Sequence, residues 1–359
     1  MDPIPSTPGP ASTVTLRRVA AYGKTRVLAW DGDFLYAGKG YTVVRLRAGS
    51  SAWELVAEFR PAWWRTITSA SNLTYRLVRD GFHALAVLGD GTMIGAVPGA
   101  VVTRRPGEME FRVTHSVLRG TRPLHITPTP SGRMYWGEYF DNRERSEVHI
   151  YGSDDQGSSW QIAYTFPARS IRHVHNIVYD RWGDCLWILT GDEGGECKVL
   201  RASLDLSAVD PVLSGNQQAR AVAAIPTQDA LYLSTDTPYE QNHVYRLDRS
   251  GSLTRVGDLD SSSIYGCRVG DALFFSTMVE PSATNTSREV QVVGSREGTD
   301  WQPLLRWKKD RLPMRYFQYG NAILPDGDNR SNLLAVTTVA VESDDVTTAL
   351  YTVEGQRSR

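Results

Sequence analysis

The chain has 359 residues, with 39 Lys and Arg against 40 Asp and Glu and a formal net charge of −1. That balance, without any basic run, argues against a nucleic-acid role, because phosphate binding draws on clustered cations. Hydrophobic residues make up 41% and aromatics 10%, with 10 Trp and 16 Tyr, which suits a β-rich protein with a large buried core.

The opening stretch MDPIPSTPGPAST carries neither a basic nor an apolar segment, so no signal peptide is expected. No run approaches the ~18 apolar residues of a membrane span. Cys185, Cys197 and Cys267 are few and odd in number, which fits a reducing compartment. Cys185 sits in the apolar run CLWIL and reads as a small core residue. The expected location is cytoplasmic, with an unseen export route or a removed leader left open. Residues 1–13 read as a flexible tail and 14–359 as one domain.

Along the chain, Val14 to Val19 reads as a first strand. One pattern then recurs: apolar strand, tight turn, apolar strand, polar loop, strand, turn, strand. The first turns appear at Asp31-Gly32-Asp33, Gly89-Asp90-Gly91, Pro130-Ser131-Gly132, Arg181-Trp182-Gly183-Asp184, Thr227-Gln228-Asp229, Gly270-Asp271 and Asp326-Gly327-Asp328. They lie roughly 40 to 60 residues apart, the length of a four-stranded propeller blade. The expected fold is therefore all-β, a seven-bladed β-propeller of four-stranded antiparallel blades. Residues 60–80 are the least regular and read as a long connection between blades. The last unit, 318–355, shows three strands, so the N-terminal strand is expected to complete it and close the ring.

The segment Ser153-Asp154-Asp155-Gln156-Gly157-Ser158-Ser159-Trp160 has the form S-x-D-x-G-x-[TS]-W, an Asp-box. Asp155 is placed to accept backbone N–H groups across a hairpin turn, Gly157 to take a positive φ, and Trp160 to pack over the turn. Asp155 is expected to hold the turn rather than to touch substrate. A degenerate copy, one residue shorter, runs from Ser295 to Trp301.

In a propeller, the loops entering the inner strands share one face with the loops joining second and third strands. The entries carry His83, Arg122, His125, Arg172, His173, His175, Arg220, Tyr265, Gln318, Tyr319 and Asn321. The other loops carry Glu138, Tyr139, Asp192, Asp236, Asn242 and Glu280. Arg122, Arg172 and Arg220 recur in three successive units, and a guanidinium binds a carboxylate in a planar, bidentate way, so they form a candidate clamp for an acidic sugar. His83, His125, Asn242, Gln318, Tyr319 and Asn321 complete the expected substrate-binding set.

His173 and His175 are two apart and point to the same side of an extended strand. One could act as a general base, or both could hold a metal with Asp192 or Glu138. No zinc-type Cys/His spacing occurs, so no cofactor is expected and a divalent metal at the rim is left open. Glu138 and Asp192 are candidate carboxylates for hydrolysis. Tyr139 or Tyr265, with a His and an Arg, would instead allow proton abstraction and β-elimination.

The Asp-box, its degenerate copy and the seven-unit spacing resemble the sialidase-like, BNR-repeat β-propellers. The segments GEYFDNRER (137–145), RHVHNIVYD (172–180), TGDEGGECK (190–198) and FQYGN (317–321) look like those of bacterial proteins labelled glycosyl hydrolases. The resemblance implies an enzyme of polysaccharide metabolism. True sialidases carry an Arg-Ile-Pro near the N-terminus, which is missing here, so sialic acid is not the expected substrate. The leading expectation is cleavage of glycosidic bonds in a uronate-containing polysaccharide, with hydrolysis slightly ahead of lyase chemistry. A non-catalytic glycan-binding propeller is the alternative from another class. The expected partner is an acidic polysaccharide or oligosaccharide, with neither nucleic acid nor membrane.

Overall fold

The computed structural model describes residues 13–354, so the expected flexible tail lies, apart from Thr13, outside the described residues. The chain folds as an all-β propeller of antiparallel four-stranded blades. The first sheet holds Arg26–Gly32, Phe34–Lys39, Thr42–Arg47 and Glu54–Glu58; the second holds Ala84–Val87, Met93–Val97, Ala100–Arg104 and Arg112–Ser116. The third comprises Thr127–Pro128, Met134–Gly137, Val148–Ser153 and Gln161–Phe166. His173–Asp180, Cys185–Gly191, Lys198–Ala202 and Val209–Ser214 form the fourth. The fifth is Ala221–Pro226, Ala230–Thr235, Asn242–Asp248 and Leu253–Leu259.

Eight of the remaining strands form one sheet. In it Ser263–Val269, Ala272–Val279, Glu289–Ser295 and Gln302–Lys308 pair in chain order. Gly320–Ile323, Leu333–Val339, Thr347–Glu354 and Thr15–Gly23 pair in turn, and Met278↔Asn321 with Val279↔Gly320 joins the two sets. The N-terminal strand thus runs four residues past the expected Val19 and pairs with the last strand from Thr15↔Glu354 to Gly23↔Thr347.

Second strands are buried over most or all of their length, completely in Cys185–Gly191 and Ala272–Val279, because neighbouring sheets cover both faces. That explains their continuous apolar runs, where a half-exposed strand would alternate. Ile94, Met134 and Trp136 pack between the second and third sheets, each buried side chain of this kind contributing about 1.5–3 kcal/mol.

The Ser153–Trp160 turn adds to the same contact. Asp155 Oδ1 accepts the Ser158 and Ser159 N–H groups at 3.0 and 2.9 Å, and Gly157 sits at φ +79°. Thr103 donates to the Gly157 carbonyl at 2.6 Å, and Trp160 Nε1 donates to Thr114 at 3.3 Å, so the hairpin of one sheet is tied to the next. The shorter copy keeps part of this, with Gly298 N–H donating to Ser295 Oγ at 2.9 Å.

One expectation is corrected, and the connection between the first two blades gains detail. Asp326-Gly327-Asp328 is not a hairpin turn; Asp326–Asn329 is a short strand lying parallel to Ala29–Gly32 at the edge of the first sheet. The irregular stretch 60–80 forms two short helices, Trp63–Thr68 and Asn72–Val78. Buried Asp80 anchors them, accepting bonds from Tyr41 Oη at 2.7 Å, Arg65 Nη1 at 2.6 Å and the Thr68 hydroxyl. Buried Arg76 fastens the second helix across the ring to Asp310 at 2.6 Å and Asp345 at 3.0 Å. A buried charge is tolerable only when paired in this way.

Candidate functional site

In four successive units, the residue that ends a second strand is followed by an acid: Gly137 by Glu138, Gly191 by Asp192, Thr235 by Asp236 and Val279 by Glu280. The register explains what these acids meet. His173 pairs with Gly191, so Asp192 emerges beside the entry to an inner strand that begins with His173 and His175. Ala221 pairs with Thr235, which sets Asp236 beside Arg220.

Each acid has a different fate. Glu138 is buried and fully occupied: Arg119 donates to it through both Nε, at 2.9 Å, and Nη2, and the His149 N–H donates at 2.8 Å. Those bonds hold a loop together and leave no free oxygen for substrate. Asp192 receives Arg172 Nη1 on Oδ2 at 2.9 Å, and Arg220 Nη2 stands 3.4 Å from Oδ1. Burial opposes its ionisation, but hydrogen bonding with the imidazoles of His173 and His175 holds it well below the usual carboxylate range.

Asp236 is buried, with Oδ2 at 3.7 Å from Arg220 Nη2 and Oδ1 without a hydrogen-bond partner. Glu280 is half-buried, and burial together with the charge of Asp236 pushes its carboxyl up to about 7, against the opposing pull of Arg220.

The histidines face one another. His173 Nδ1 lies 3.1 Å from the Phe140 carbonyl and His175 Nδ1 lies 2.9 Å from the Ala221 carbonyl. A carbonyl only accepts, so both Nδ1 atoms carry their hydrogens. Burial pushes His173 down despite the nearby Asp192, which leaves its Nε2 a bare acceptor near neutral pH. The two Nε2 atoms are 3.1 Å apart, and both approach Asp192 Oδ1, at 3.2 Å from His175 and 3.5 Å from His173. Only a positive species, a proton on one ring or a bound cation, can sit among three such atoms. Among the described residues these three form the group able to hold a metal ion.

Tyr139 covers this cluster, its ring 4.2 Å from that of His173, with 39% of the residue open. Burial of the phenol, followed by the charges of Asp236, Asp192 and Glu280, pushes its pKa up, so the hydroxyl keeps its proton. Arg172, His173, His175, Asp192, Tyr139 and Arg220 therefore come together, with Asp236 and Glu280 beside them.

Arg122 and Tyr265 do not join that group. Buried Arg122 donates to the Arg79 carbonyl at 3.0 Å, and burial with the nearby charges of Arg26 and Arg79 pushes its pKa down to about 10. Buried Arg26 donates to Tyr265 Oη at 3.4 Å, and its Nε has no partner. His83 belongs to the same cluster, pushed well below its usual range by burial and then by Arg122 and Arg26. Among the described residues none of Arg26, Arg79 and Arg122 is within ion-pair distance of a carboxylate.

Tyr265 also lines, with His125, Asn176 and Trp182, a central cavity of about 490 Å³. His125 meets Asp326 there at 2.9 Å. Asn242 is buried, with its amide bonded to Thr235, Thr237 and Asn285. Gln318 donates to the Arg76 carbonyl at 2.8 Å and so steadies the helices. Tyr319 is partly exposed, and Asn321 Oδ1 is buried without a partner.

The Asp236–Glu280 pair and the arginines at 26 and 79 were not singled out from sequence. The usable signal was the recurrence of an acid just after the second strand in four successive units.

No family model and no curated protein matches the chain. Solved structures match it in fold. A chain of the mitotic checkpoint complex superposes with a TM-score of 0.60 at 11% identity, covering 98% of this chain and 99% of that one. The extracellular domain of the putative one component system BT4673 from B. thetaiotaomicron gives a TM-score of 0.56 at 9% identity, over 96% of this chain and 43% of that one. The computationally designed Ika8 protein gives 0.51 at 7% identity, over 92% and 97%. The chain is a β-propeller, and at these identities the likeness is one of fold alone. Among the described residues no helix is long and apolar enough to cross a membrane.

Proposed function

We propose that this propeller cleaves glycosidic bonds in an acidic polysaccharide, by hydrolysis. The carrying observation is the Asp236–Glu280 pair: two neighbouring acids at equivalent positions, one beside Arg220 and the other raised to about 7. A carboxyl that keeps its proton to higher pH than usual, with a second carboxyl from the neighbouring unit beside it, is the pairing that glycoside hydrolysis uses. Glu280 donates the proton to the departing glycosidic oxygen, and Asp236, whose buried Oδ1 has no hydrogen-bond partner, takes a proton from the water that adds to the anomeric carbon. Compared with the sequence expectation, the reacting carboxylates shift from Glu138 and Asp192 to the two following units.

The acidic character of the substrate rests on Arg26, Arg79 and Arg122. Two of these guanidiniums are buried, and none has a carboxylate partner among the described residues. Even with its pKa at about 10, Arg122 stays charged at neutral pH, so an acidic group of the ligand is its natural counter-ion. The hydrogen bonding of the Ser153–Trp160 turn supports the resemblance to sialidase-like propellers. The sparse pairing between the halves of the eight-stranded sheet, Met278↔Asn321, Val279↔Gly320 and the isolated bridge Lys309↔Val341, supports reading it as two blades of a seven-bladed ring.

A second reading, β-elimination, is favoured by Tyr139 lying on the neutral ring of His173. Incubation with acidic polysaccharides separates the readings. Hydrolysis gives new reducing ends without absorbance near ~235 nm, whereas elimination gives both, because it leaves a conjugated unsaturated uronate. A protein that binds such chains without producing either signal is a glycan-binding propeller.

A further inference from the structure

We propose that His173, His175 and Asp192 form a binding site for a divalent first-row transition-metal ion, with His173 Nε2, His175 Nε2 and Asp192 Oδ1 as its ligands. The inference stands apart from the identity of the substrate and rests on three observations.

The first is hydrogen placement. Both Nδ1–H groups are spent on backbone carbonyls, Phe140 for His173 and Ala221 for His175. A metal-bound imidazole commonly has this outer partner, which fixes the ring and directs the other nitrogen's lone pair at the ion.

The second is spacing. The three ligand atoms are separated by 3.1, 3.2 and 3.5 Å. Ligands bound at about 2.0–2.1 Å with angles between octahedral and tetrahedral stand about 2.9–3.5 Å apart, and a point about 2.05 Å from all three atoms lies roughly 0.8 Å out of their plane. The metal-free side chains already form one face of a coordination polyhedron. Two imidazoles and one carboxylate on a single face are a donor set suited to divalent zinc, manganese or iron.

The third is the carboxylate's support. Arg172 takes Asp192 Oδ2 at 2.9 Å, and Arg220 Nη1 donates to the Asp192 backbone carbonyl at 3.0 Å, while Arg220 Nη2 stays 3.4 Å from Oδ1. Oδ1 is thereby turned towards the imidazoles. Asp236 lies beside Arg220, with Oδ2 at 3.7 Å from Nη2, and so offsets that guanidinium's repulsion of a cation.

The test needs no turnover. Protein purified without a polyhistidine tag is dialysed against chelator, then titrated separately with Zn2+, Mn2+ and Co2+. The expected result is one equivalent of metal per chain, a raised melting temperature, and with Co2+ a visible absorption band from nitrogen ligation. His173→Gln should weaken binding by at least 100-fold, and Arg172→Gln, which removes the partner of Asp192 Oδ2 and of Asp141 but no metal ligand, by about 10- to 100-fold. Far-UV circular dichroism of each variant shows whether it is folded, and the Arg172→Gln comparison stands if His173→Gln is not. Binding of no equivalent by the dialysed wild type, or equal binding by the folded variants, overturns the site and leaves a proton shared between the rings. Neither result bears on whether glycosidic bonds are cleaved, so this site and the proposed activity fail separately.

Discussion

Glu280→Gln replaces a carboxyl by a neutral amide of nearly the same shape and so isolates the charge that Glu280 carries. Its carboxyl is raised from an ordinary 4.5 to about 7, first by burial and then by Asp236. Because the folded pKa lies above the unfolded one, the native state binds the proton more tightly. Glu280 therefore costs nothing below about pH 4.5, and its penalty grows as pH rises to about 7, where it levels off. The shift from 4.5 to about 7 corresponds to about 3 kcal/mol of native-state destabilisation at alkaline pH. The amide has no such penalty. Urea unfolding of chelator-dialysed wild type and variant should show the difference between them moving in the variant's favour by about 3 kcal/mol between about pH 4 and pH 8.5. The same substitution removes the proposed acid, so turnover should fall at least 100-fold. A stability difference that does not change with pH would refute the charge environment assigned to Glu280.

Arg122→Gln should weaken binding of an acidic oligosaccharide about 10-fold or more and leave a neutral analogue unaffected, as read by calorimetry, without loss of stability, since the guanidinium it removes has no carboxylate partner. Asp155→Ala strips the turn of two backbone and two hydroxyl hydrogen bonds and should cost about 1–2 kcal/mol in chemical denaturation while kcat stays unchanged. Truncation through Gly23 removes the antiparallel partner of Thr347–Glu354 and the packing of Val14, so the melting temperature should drop by about 10 °C or more; an unchanged value contradicts the structural role of that strand.

What could be read from sequence was whatever is local. The Ser153–Trp160 turn was legible because its bonds span four residues or fewer, from Ser153 to Gly157 and from Asp155 to Ser159. Buried second strands were legible because two-sided burial leaves an unbroken apolar run. The histidine pair was legible because alternation along a strand puts positions 173 and 175 on one side, and the structure brings Asp192, Arg172 and Arg220 to them.

The remainder depended on pairing between different units. Glu138 looked like a free acid at a strand end, but Arg119 takes both its oxygens, and nothing in the local pattern marks that partner. Arg122 recurred in step with Arg172 and Arg220 but turned to Arg79, which a left-handed residue at φ +51° after the second helix brings into place. That helix was not legible either. NLTYRLV shows no clean apolar stripe, and its stability comes from Arg76 reaching Asp310 and Asp345, more than 230 residues away in sequence. The raised carboxyl of Glu280 has the same origin, since Asp236 and Asp192 belong to two other sheets.

The most direct measurement of the central claim is incubation of wild type and Glu280→Gln with a panel of uronate-containing polysaccharides, following reducing ends and absorbance near ~235 nm together. The account expects new reducing ends from wild type, no rise in absorbance, and at least a 100-fold slower release from the variant. Absorbance rising with the reducing ends, or equal rates from both proteins, contradicts hydrolysis by Glu280 and moves the chemistry to Tyr139 and His173. Silence in both signals across the panel, with binding retained, contradicts catalysis altogether.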